Sequence, residues 1–252
     1  MPDIITAESR GNVTVLAMAR GKVQALDLEL VSALEEALIA HADAALVLTG
    51  TGAAFSAGVD LKRLLAEGPE YVDAFLPRLS EAMVRLFSHA APVVAAINGH
   101  AIAGGCVFAC ACDYKVMAAG GATLGVPELR VGVPFPVAPL EILRFALADP
   151  HLQELVYLGR TYDADAASTR GMVDEVVPAE HVVERAVQVA TRLATGPVAR
   201  FRLTKAQLRR PALDRIRQDA EHADPAVLAA WKHDDTRAAI AGFLADLEMR
   251  KR

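Results

Sequence analysis

The sequence predicts a mixed α/β core followed by a helical C-terminal third. In the first half, short apolar segments typical of strands alternate with helical segments of ten or more residues. After about residue 140, the strand patterns nearly vanish and helical periodicity takes over. This alternation favours right-handed crossovers and mostly parallel strand pairing. With 252 residues and 53% hydrophobic content, the chain is long enough and apolar enough to form one sizeable core.

The first elements follow from local patterns. Residues 13–18 are rich in β-formers and predict a strand. From Asp27, which suits a helix N-cap, apolar residues recur on one helical face. Residues 45–49 form a short apolar run that ends at Gly50, which predicts a buried strand.

The middle of the chain continues this alternation. A second amphipathic helix is predicted over residues 71–89, and buried strands over 93–97 and 114–118. The glycine pair Gly104-Gly105 opens an apolar helix between those two strands. The remainder predicts helices over 140–147, 151–158, 163–170, 181–194, 212–222 and 235–248. We therefore divide the chain into an α/β core, residues 1–195, and a C-terminal helical region, residues 196–252.

Composition excludes several classes of protein. The net charge of -5 argues against a nucleic-acid binder, which needs a basic face. No apolar run reaches the roughly 20 residues of a membrane span, and the acidic start lacks a signal-peptide pattern. We expect a cytoplasmic protein without a membrane partner. Cys106, Cys110 and Cys112 lie in an apolar stretch and fit neither a disulfide framework nor a zinc pattern, so no metal is expected.

Two glycine-containing segments can present backbone amides to a ligand. In the first, residues 50–62, the small residues Ser56, Ala57 and Gly58 leave the backbone uncovered. In the second, residues 98–106, a strand runs into a helix that begins at the glycine pair, where N–H groups lack helical partners. One donor from each loop, converging on one developing negative oxygen, would form an oxyanion hole. Close packing is the alternative explanation of these glycines.

A third segment, residues 125–134, contains Glu128 in an apolar, turn-rich setting. Burial against Val126, Leu129 and Val133 would raise its pKa and suit it to transfer protons near neutral pH. The alternative is a solvated loop carboxylate paired with Arg130.

Taken together in this order, the segments resemble the enoyl-CoA hydratase/isomerase (crotonase) superfamily from about residue 10 to residue 248. The resemblance is carried by Phe-Ser-Ala-Gly-x-Asp at 55–60, Ala-x-Asn-Gly-x-Ala-x-Ala-Gly-Gly at 96–105, Cys112-Asp113-Tyr114 and Pro127-Glu128. It implies the crotonase-like (ClpP/crotonase) spiral of β-β-α units, with a C-terminal helical region that packs a homotrimer or a hexamer. The apolar C-terminal residues Val227, Leu228, Trp231, Ile240, Phe243 and Leu244 suit that packing.

The resemblance also assigns roles to residues. Its oxyanion donors correspond to the N–H groups of Val59 and Gly104, which would bind the thioester oxygen. Backbone groups around Ser56, Ala57 and Val59 would hold the adenine of coenzyme A. Coenzyme A enters as part of the substrate, and no other cofactor is implied.

Basic side chains are candidates for the phosphates of coenzyme A. Arg20 and Lys22 lie near the first strand, and Lys62 is a weaker candidate. Each is equally explained as a solvated surface charge. The tail Arg250-Lys251-Arg252 would reach a phosphate bound to a neighbouring subunit, or remain solvated.

The proton-transfer groups distinguish the branches of the superfamily. Its hydratases use two glutamates, one three residues after the oxyanion glycine and one in the third segment. Here the first position is Val107 and the second is Glu128. A further acid used by dienoyl isomerases and some dehalogenases corresponds to Pro136. The pattern therefore resembles the single-glutamate isomerases and predicts a Δ3-Δ2-enoyl-CoA isomerase of lipid metabolism.

Two alternatives remain open. A hydratase, or another lyase or hydrolase of acyl-CoA, would need a second polar group, for which His100 and Glu141 are the nearest in sequence. His100 is also a candidate substrate-binding residue facing the acyl pocket, for which a packed core or loop histidine is the favoured alternative. The other alternative is a catalytically silent acyl-CoA-binding protein.

Overall fold

The computed structural model describes residues 4–147 and 149–249. Its strands are β1 (Ile5–Arg10), β2 (Val13–Met18), β3 (Ala45–Gly50), β4 (Ala54–Ser56), β5 (Val93–Ile97), β6 (His100–Ile102), β7 (Tyr114–Ala118), β8 (Thr123–Gly125), β9 (Thr161–Asp163) and β10 (Glu175–Val177). The helices are α1 (Leu28–Ala40), α2 (Leu61–Glu67), α3 (Pro69–Phe87), α4 (Gly104–Ala111), α5 (Glu128–Val131), α6 (Val137–Ala146), α7 (Asp149–Leu158), α8 (Ala164–Thr169), α9 (Val182–Leu193), α10 (Val198–Lys232) and α11 (Asp234–Met249). The basic tail 250–252 lies outside the described residues.

The strands form two sheets. The larger has the order β1-β2-β3-β5-β7-β10, and every neighbouring pair is parallel except β1 with β2. The smaller has the order β4-β6-β8-β9. The mostly parallel pairing predicted from the sequence is confirmed, and the predicted strands 13–18, 93–97 and 114–118 have those bounds in the structure.

The strand predicted over 45–49 is also confirmed as β3, one residue longer, but the sequence patterns did not reveal the other strands. β1 is an edge strand whose residues are nearly all exposed, so it lacks an apolar alternation. The strands of the smaller sheet have three residues each, which is too short for a period of two to be recognised. Their pairing depends on contacts between distant parts of the chain.

Local signals fix the start of the early helices. The Asp27 side chain accepts a hydrogen bond from the N–H of Leu30 at 2.9 Å, which confirms it as the N-cap of α1. The helix predicted over 71–89 begins earlier, at Pro69, and a short helix α2 precedes it. Gly68 separates the two with a φ of 80°, a left-handed conformation that favours glycine.

The C-terminal region departs most from prediction. The sequence predicts a helix over 212–222, whereas α10 runs continuously from Val198 to Lys232 and contains Pro211 and Pro225. Proline lacks an N–H and disfavours helix interiors, so Pro211 and Pro225 make a continuous helix through these positions unexpected. The other predicted C-terminal helices agree within a few residues.

A buried ionic cluster attaches α10 to the core. Asp113, just before β7, contacts Lys205 at 2.7 Å and Arg209 at 2.8 Å. The N–H of Val93 donates to the same carboxylate at 2.8 Å, and Arg209 also donates to the carbonyl of Ala111 at 2.9 Å. Since each charge has a partner, the fold tolerates their burial.

One hydrophobic core extends through both parts of the chain. It lies between the larger sheet and the helices α1, α3, α4 and α6, and it includes Ala212, Trp231 and Ile240 of the C-terminal helices. On the other face of the sheet, α9 packs its own apolar residues against β3, β5 and β7. Across the described ranges, no helix combines the length and apolar character that crossing a membrane requires.

Candidate active site

The two glycine-containing loops meet at the start of α4. Gly58 follows β4 with a φ of 82°, and a Cβ at this position would lie 2.8 Å from the carbonyl oxygen of Ile102 and 3.4 Å from the nitrogen of Gly104. A Cβ at Gly105 would lie 2.4 Å from the carbonyl oxygen of Ser56. The glycines therefore permit a backbone-to-backbone approach that a side chain would prevent.

This approach leaves two backbone amides available. Around them, Asp60 N–H donates to the Leu26 carbonyl at 3.0 Å, and Ala103 N–H donates to the Gly125 carbonyl at 2.8 Å. Among the hydrogen bonds between described residues, none uses the N–H of Val59 or of Gly104 as its donor. Adjacent free donors are what an oxyanion hole requires.

The residue before Gly104 is held in an unusual conformation. Ala103 has a φ of 54°, although it is not a glycine. Its φ of 54° with a ψ of -127° lies in a sparsely populated backbone region for a residue with a Cβ, which costs on the order of 1–3 kcal/mol. Its N–H bond to Gly125 and its carbonyl, which accepts from Val107 N–H at 3.1 Å, hold it in place. The turn at Ala103 places the start of α4 beside the cavity, which Ala103 and Gly104 line.

An apolar cavity of about 280 Å³ opens beside these amides. Its walls come from the two loops, α3, α4, the segment 127–139, α10 and α11. The lining residues are Ala57, Val59, Leu61, Leu76, Leu79, Met83, Ile102, Ala103, Gly104, Val107, Pro127, Glu128, Val131, Val133, Pro134, Phe135, Pro136, Pro139, Trp231, Phe243 and Leu247. Among the described residues that line it, Glu128 alone has an ionisable side chain.

Glu128 is half-buried, and one of its two carboxyl oxygens is held away from water. It begins the short helix α5, and its Oε2 is buried without a hydrogen-bond partner among the described residues. Burial raises the pKa of Glu128 to about 8, and a hydrogen bond with its own backbone opposes that rise. The alternative of a solvated pair with Arg130 is wrong, because no ion pair joins the two among the described residues and Arg130 is exposed.

The predicted neighbours of Glu128 are only partly correct. Val126 and Val133 are buried, but Leu129 is 43% exposed and points away from the core. Val107, one turn into α4, is 1% exposed and lines the cavity. The structure therefore brings Glu128, Val107 and the two free amides to one apolar space, as the sequence motifs predicted.

Neither candidate for a second acid-base group faces this space. His100 is exposed on β6, where its Nδ1 accepts from the N–H of Thr123 at 3.2 Å. Glu141 is buried against Arg215 and lies 3.3 Å from Arg144. Neither side chain lines the cavity, so the expectation that His100 faces the acyl pocket is wrong.

The residues assigned to coenzyme A lie along the first loop and its neighbour, residues 20–26. Ser56 is fully buried and its hydroxyl donates to the carbonyl of Gln24 at 2.8 Å. Ala57 is exposed, and its N–H donates to the carbonyl of Val23 at 2.9 Å. The amide of Ala57 and the hydroxyl of Ser56 therefore already have partners within the protein. The predicted contact with adenine stays a prediction, and the backbone carbonyl groups are what would make it.

The three basic candidates differ in their surroundings. Arg20 pairs with Asp27 at 2.6 Å, and Lys62 pairs with Glu248 at 2.7 Å on the surface. Lys22 is exposed at the edge of a surface groove that also contains Arg20. Their role toward the phosphates of coenzyme A stays a prediction.

Sequence reasoning missed most of the cavity wall. Leu76, Leu79 and Met83 lie in the amphipathic helix predicted over 71–89, but their pattern does not distinguish the wall of a site from ordinary core packing. Trp231 and Phe243 line the cavity of their own chain, a position that the sequence analysis did not predict, and their packing in a trimer stays a prediction. The indole N–H of Trp231 donates to the carbonyl of Pro134 at 2.9 Å, a long-range contact that no local pattern signals.

Comparisons with known proteins agree with this geometry. Residues 8–251 match the family described as enoyl-CoA hydratase/isomerase. A probable enoyl-CoA hydratase of Rhizobium meliloti is 30% identical over 218 residues, covering 84% of this chain and 82% of that protein. The apo structure of the Mtb enoyl-CoA isomerase has 33% identity and a TM-score of 0.81, covering 88% of this chain and 97% of that one. Human mitochondrial delta3-delta2-enoyl-CoA isomerase has a TM-score of 0.90 over 99% of this chain and 100% of that one; its 24% identity supports the fold alone.

The fold and the site thus define an enzyme of the crotonase superfamily, as the motifs predicted. Within that class, the chain belongs to the enoyl-CoA hydratase/isomerase family. An acyl-CoA substrate follows from membership of this family.

Proposed function

We propose that this enzyme moves the double bond of a 3-enoyl-CoA to the 2-position, with Glu128 as its single acid-base group. The observation that carries the proposal is the chemistry of the cavity wall. Glu128 is the ionisable group among the described lining residues, and Val107 occupies the place where a hydratase needs a second carboxyl group. Isomerisation needs one group that first accepts and then donates a proton.

The reaction has two proton transfers. The Glu128 carboxylate takes a proton from C2 of the thioester. The electron pair of that C–H bond forms a C1=C2 bond, and the C1=O π pair moves onto the thioester oxygen. The Glu128 carboxyl then returns the proton to C4. The oxygen re-forms the C1=O bond, the C1=C2 pair becomes the C2=C3 double bond, and the former C3=C4 π pair binds the proton at C4.

The free amides of Val59 and Gly104 suit the dienolate intermediate. They are preorganised donors, and charge on the thioester oxygen increases as the proton leaves. A donor of this kind contributes a rate factor of about 10²–10³. The surrounding apolar wall strengthens these hydrogen bonds, because it lowers the local dielectric constant and excludes water.

The apolar wall also supports isomerisation over hydration. A hydratase must hold a water molecule beside C3 and orient it with polar groups. In the described wall, Val107, Val131 and Pro136 offer no such group. We therefore expect water addition to be slow.

The test is a direct assay of both reactions with the purified protein. We expect 3-hexenoyl-CoA to convert to 2-hexenoyl-CoA, and crotonyl-CoA to take up water at least about tenfold more slowly, because a missing proton-transfer group costs at least that factor. The substitution Glu128→Gln keeps the size of the side chain and should lower isomerisation by about 10²–10⁴-fold.

Other outcomes would select the alternatives. Faster hydration than isomerisation would make the protein a hydratase that orients water without a second glutamate. Tight acyl-CoA binding with neither reaction would make it a silent binding protein. Isomerisation unaffected by Glu128→Gln would contradict the role of Glu128 while leaving the reaction in place.

A further inference from the structure

A second, smaller cavity lies directly behind the wall of the first. It measures about 130 Å³ and is bounded by α3, α10 and the segment that leads into α6. Leu76 and Pro136 line both cavities, so these two residues form the partition between them. On the far side, the apolar residues Val227 and Leu228 of α10 are half-buried against the main core.

The partition lies at a definable distance from the reacting atoms. Met83 marks the catalytic end, because its Cε would be 3.4 Å from a Cβ at Gly104. Leu76 lies seven residues earlier on α3, which corresponds to about 10 Å along the helix axis at 1.5 Å per residue. An extended chain advances about 1.2 Å per bond. An acyl chain that begins at Gly104 therefore reaches Leu76 after roughly eight or nine bonds.

Both helices that enclose the second cavity are weakened where they border it. Pro77 follows Leu76 in α3 and has no N–H to donate to the carbonyl of Asp73. Pro225 likewise interrupts the hydrogen bonds of α10. It lies between Asp224 and Val227, which both line the second cavity. Asp224 accepts a hydrogen bond from the N–H of Val137 at 2.9 Å, which keeps α10 joined to the start of α6. The side chain at the partition thus lies on a turn with fewer backbone restraints than its neighbours.

We propose that the two cavities form one divided acyl site, in which Leu76 is the specificity-determining residue that admits long acyl chains to the second cavity. The inference rests on the proposed function in that it takes an acyl-CoA as the ligand. Chains of up to roughly eight to ten carbons fill the first cavity. Longer unbranched chains displace Leu76 and place their last carbons against Val227 and Leu228. The substrate class is therefore long-chain as well as medium-chain acyl-CoA.

Calorimetric binding of saturated acyl-CoAs tests this inference without requiring turnover. The wild-type protein should bind tetradecanoyl-CoA at least as tightly as octanoyl-CoA. Leu228→Trp fills the second cavity and should weaken tetradecanoyl-CoA by about tenfold or more, since several methylene groups lose their burial. Octanoyl-CoA should bind this variant within about twofold of wild type, because it ends before the partition.

Matched variants separate the cavity from general effects. Leu203→Trp introduces the same side chain on the same helix, at a residue that is 66% exposed and lines neither cavity, and should change neither affinity. Val227→Phe is a smaller filling that repeats the test if Leu228→Trp fails to fold. Leu76→Ala should strengthen tetradecanoyl-CoA relative to octanoyl-CoA.

The outcomes are distinguishable from those of the isomerase assay. Equal weakening of both ligands by the filling variants, or wild-type preference for octanoyl-CoA by tenfold or more, overturns the divided site even if isomerisation is observed. The expected chain-length pattern in a protein without isomerase activity supports the divided site and contradicts the proposed reaction.

Discussion

The folded protein is more stable when the Glu128 carboxyl group is protonated. Its pKa is about 8 in the folded protein, against an ordinary value of 4.5, because burial disfavours the charge. The folded state therefore binds this proton more tightly than the unfolded state. The stability associated with the protonated carboxyl is complete below pH 4.5 and is lost progressively as the pH rises to about 8.

The raised pKa of Glu128 predicts how the stability of the protein changes with pH. We expect Glu128→Gln to raise the free energy of unfolding at pH 9 by roughly 3–5 kcal/mol relative to wild type, because each unit of pKa shift corresponds to 1.36 kcal/mol. At pH 4.5 the two proteins should differ little. Urea unfolding of both proteins at the two pH values provides the measurement. An equal difference at both would mean that Glu128 does not carry the shift.

The same pKa sets the pH dependence of the reaction. The base must be ionised to accept a proton from C2, so kcat/KM should rise with pH and level off above about 8. Initial rates with 3-hexenoyl-CoA between pH 6 and pH 9.5 give this profile. A plateau already reached at pH 6 would contradict a buried base in the free enzyme.

At the scale of elements, the meeting of the first loop with α4 depends on Gly58. A Cβ there would press on the Ile102 carbonyl at 2.8 Å and separate the amides of Val59 and Gly104. We expect Gly58→Ala to lower kcat by about 10²–10³-fold, the contribution of one oxyanion donor. Gly52→Ala is the matched control, because Gly52 has a φ of 67° but nothing within 4 Å of its Cβ position. A similar loss in both variants would indicate backbone strain rather than displaced amides.

The attachment of α10 gives a second prediction. Asp113→Ala leaves the buried Lys205 and Arg209 without their carboxylate and should cost about 3–5 kcal/mol of stability. Asp43→Ala removes a surface partner of the same helix, Arg202, and should cost at most about 1 kcal/mol. Thermal unfolding of the two variants compares the pairs directly. Equal losses of stability in the two variants would show that burial does not determine how much an ion pair contributes.

These elements show what a sequence can and cannot predict. Val59 and Gly104 were predicted because the motifs around them resemble those of a known family, and Glu128 was predicted because a carboxyl group in an apolar segment suits proton transfer. Residues 198–211 were missed as helix because their charged residues are typical of a solvated segment. Arg209 is in fact 4% exposed, and its partners lie about a hundred residues away. Periodicity indicates which face is buried, but not which element covers it.

At the scale of the whole molecule, the C-terminal helices are part of the core. Ala212, Trp231 and Ile240 are each at most 4% exposed and belong to the same cluster as α1 and α3. The trimer or hexamer predicted from the family resemblance stays a prediction, and so does the boundary between residues 195 and 196. What the single chain shows is that α10 and α11 close its own cavity.

A truncation tests how far the two regions depend on each other. A chain that ends at Thr195 lacks α10 and α11. Of these two helices, α10 packs against α3 and α6, and both close the cavity. We expect it to expose apolar surface and to lose fixed tertiary packing, which dye binding and near-ultraviolet circular dichroism detect. A truncated chain with the cooperative unfolding of the full protein would instead establish residues 1–195 as an independent domain.

The isolation of Oε2 has a consequence for the fate of a hydrogen atom. Once Glu128 has taken a hydron from C2, the described walls offer it no polar neighbour to which it could pass. Return to C4 therefore competes only with exchange through whatever solvent reaches the carboxyl group. A deuterium atom placed at C2 of the substrate should therefore appear largely at C4 of the same molecule, which is intramolecular transfer of the label.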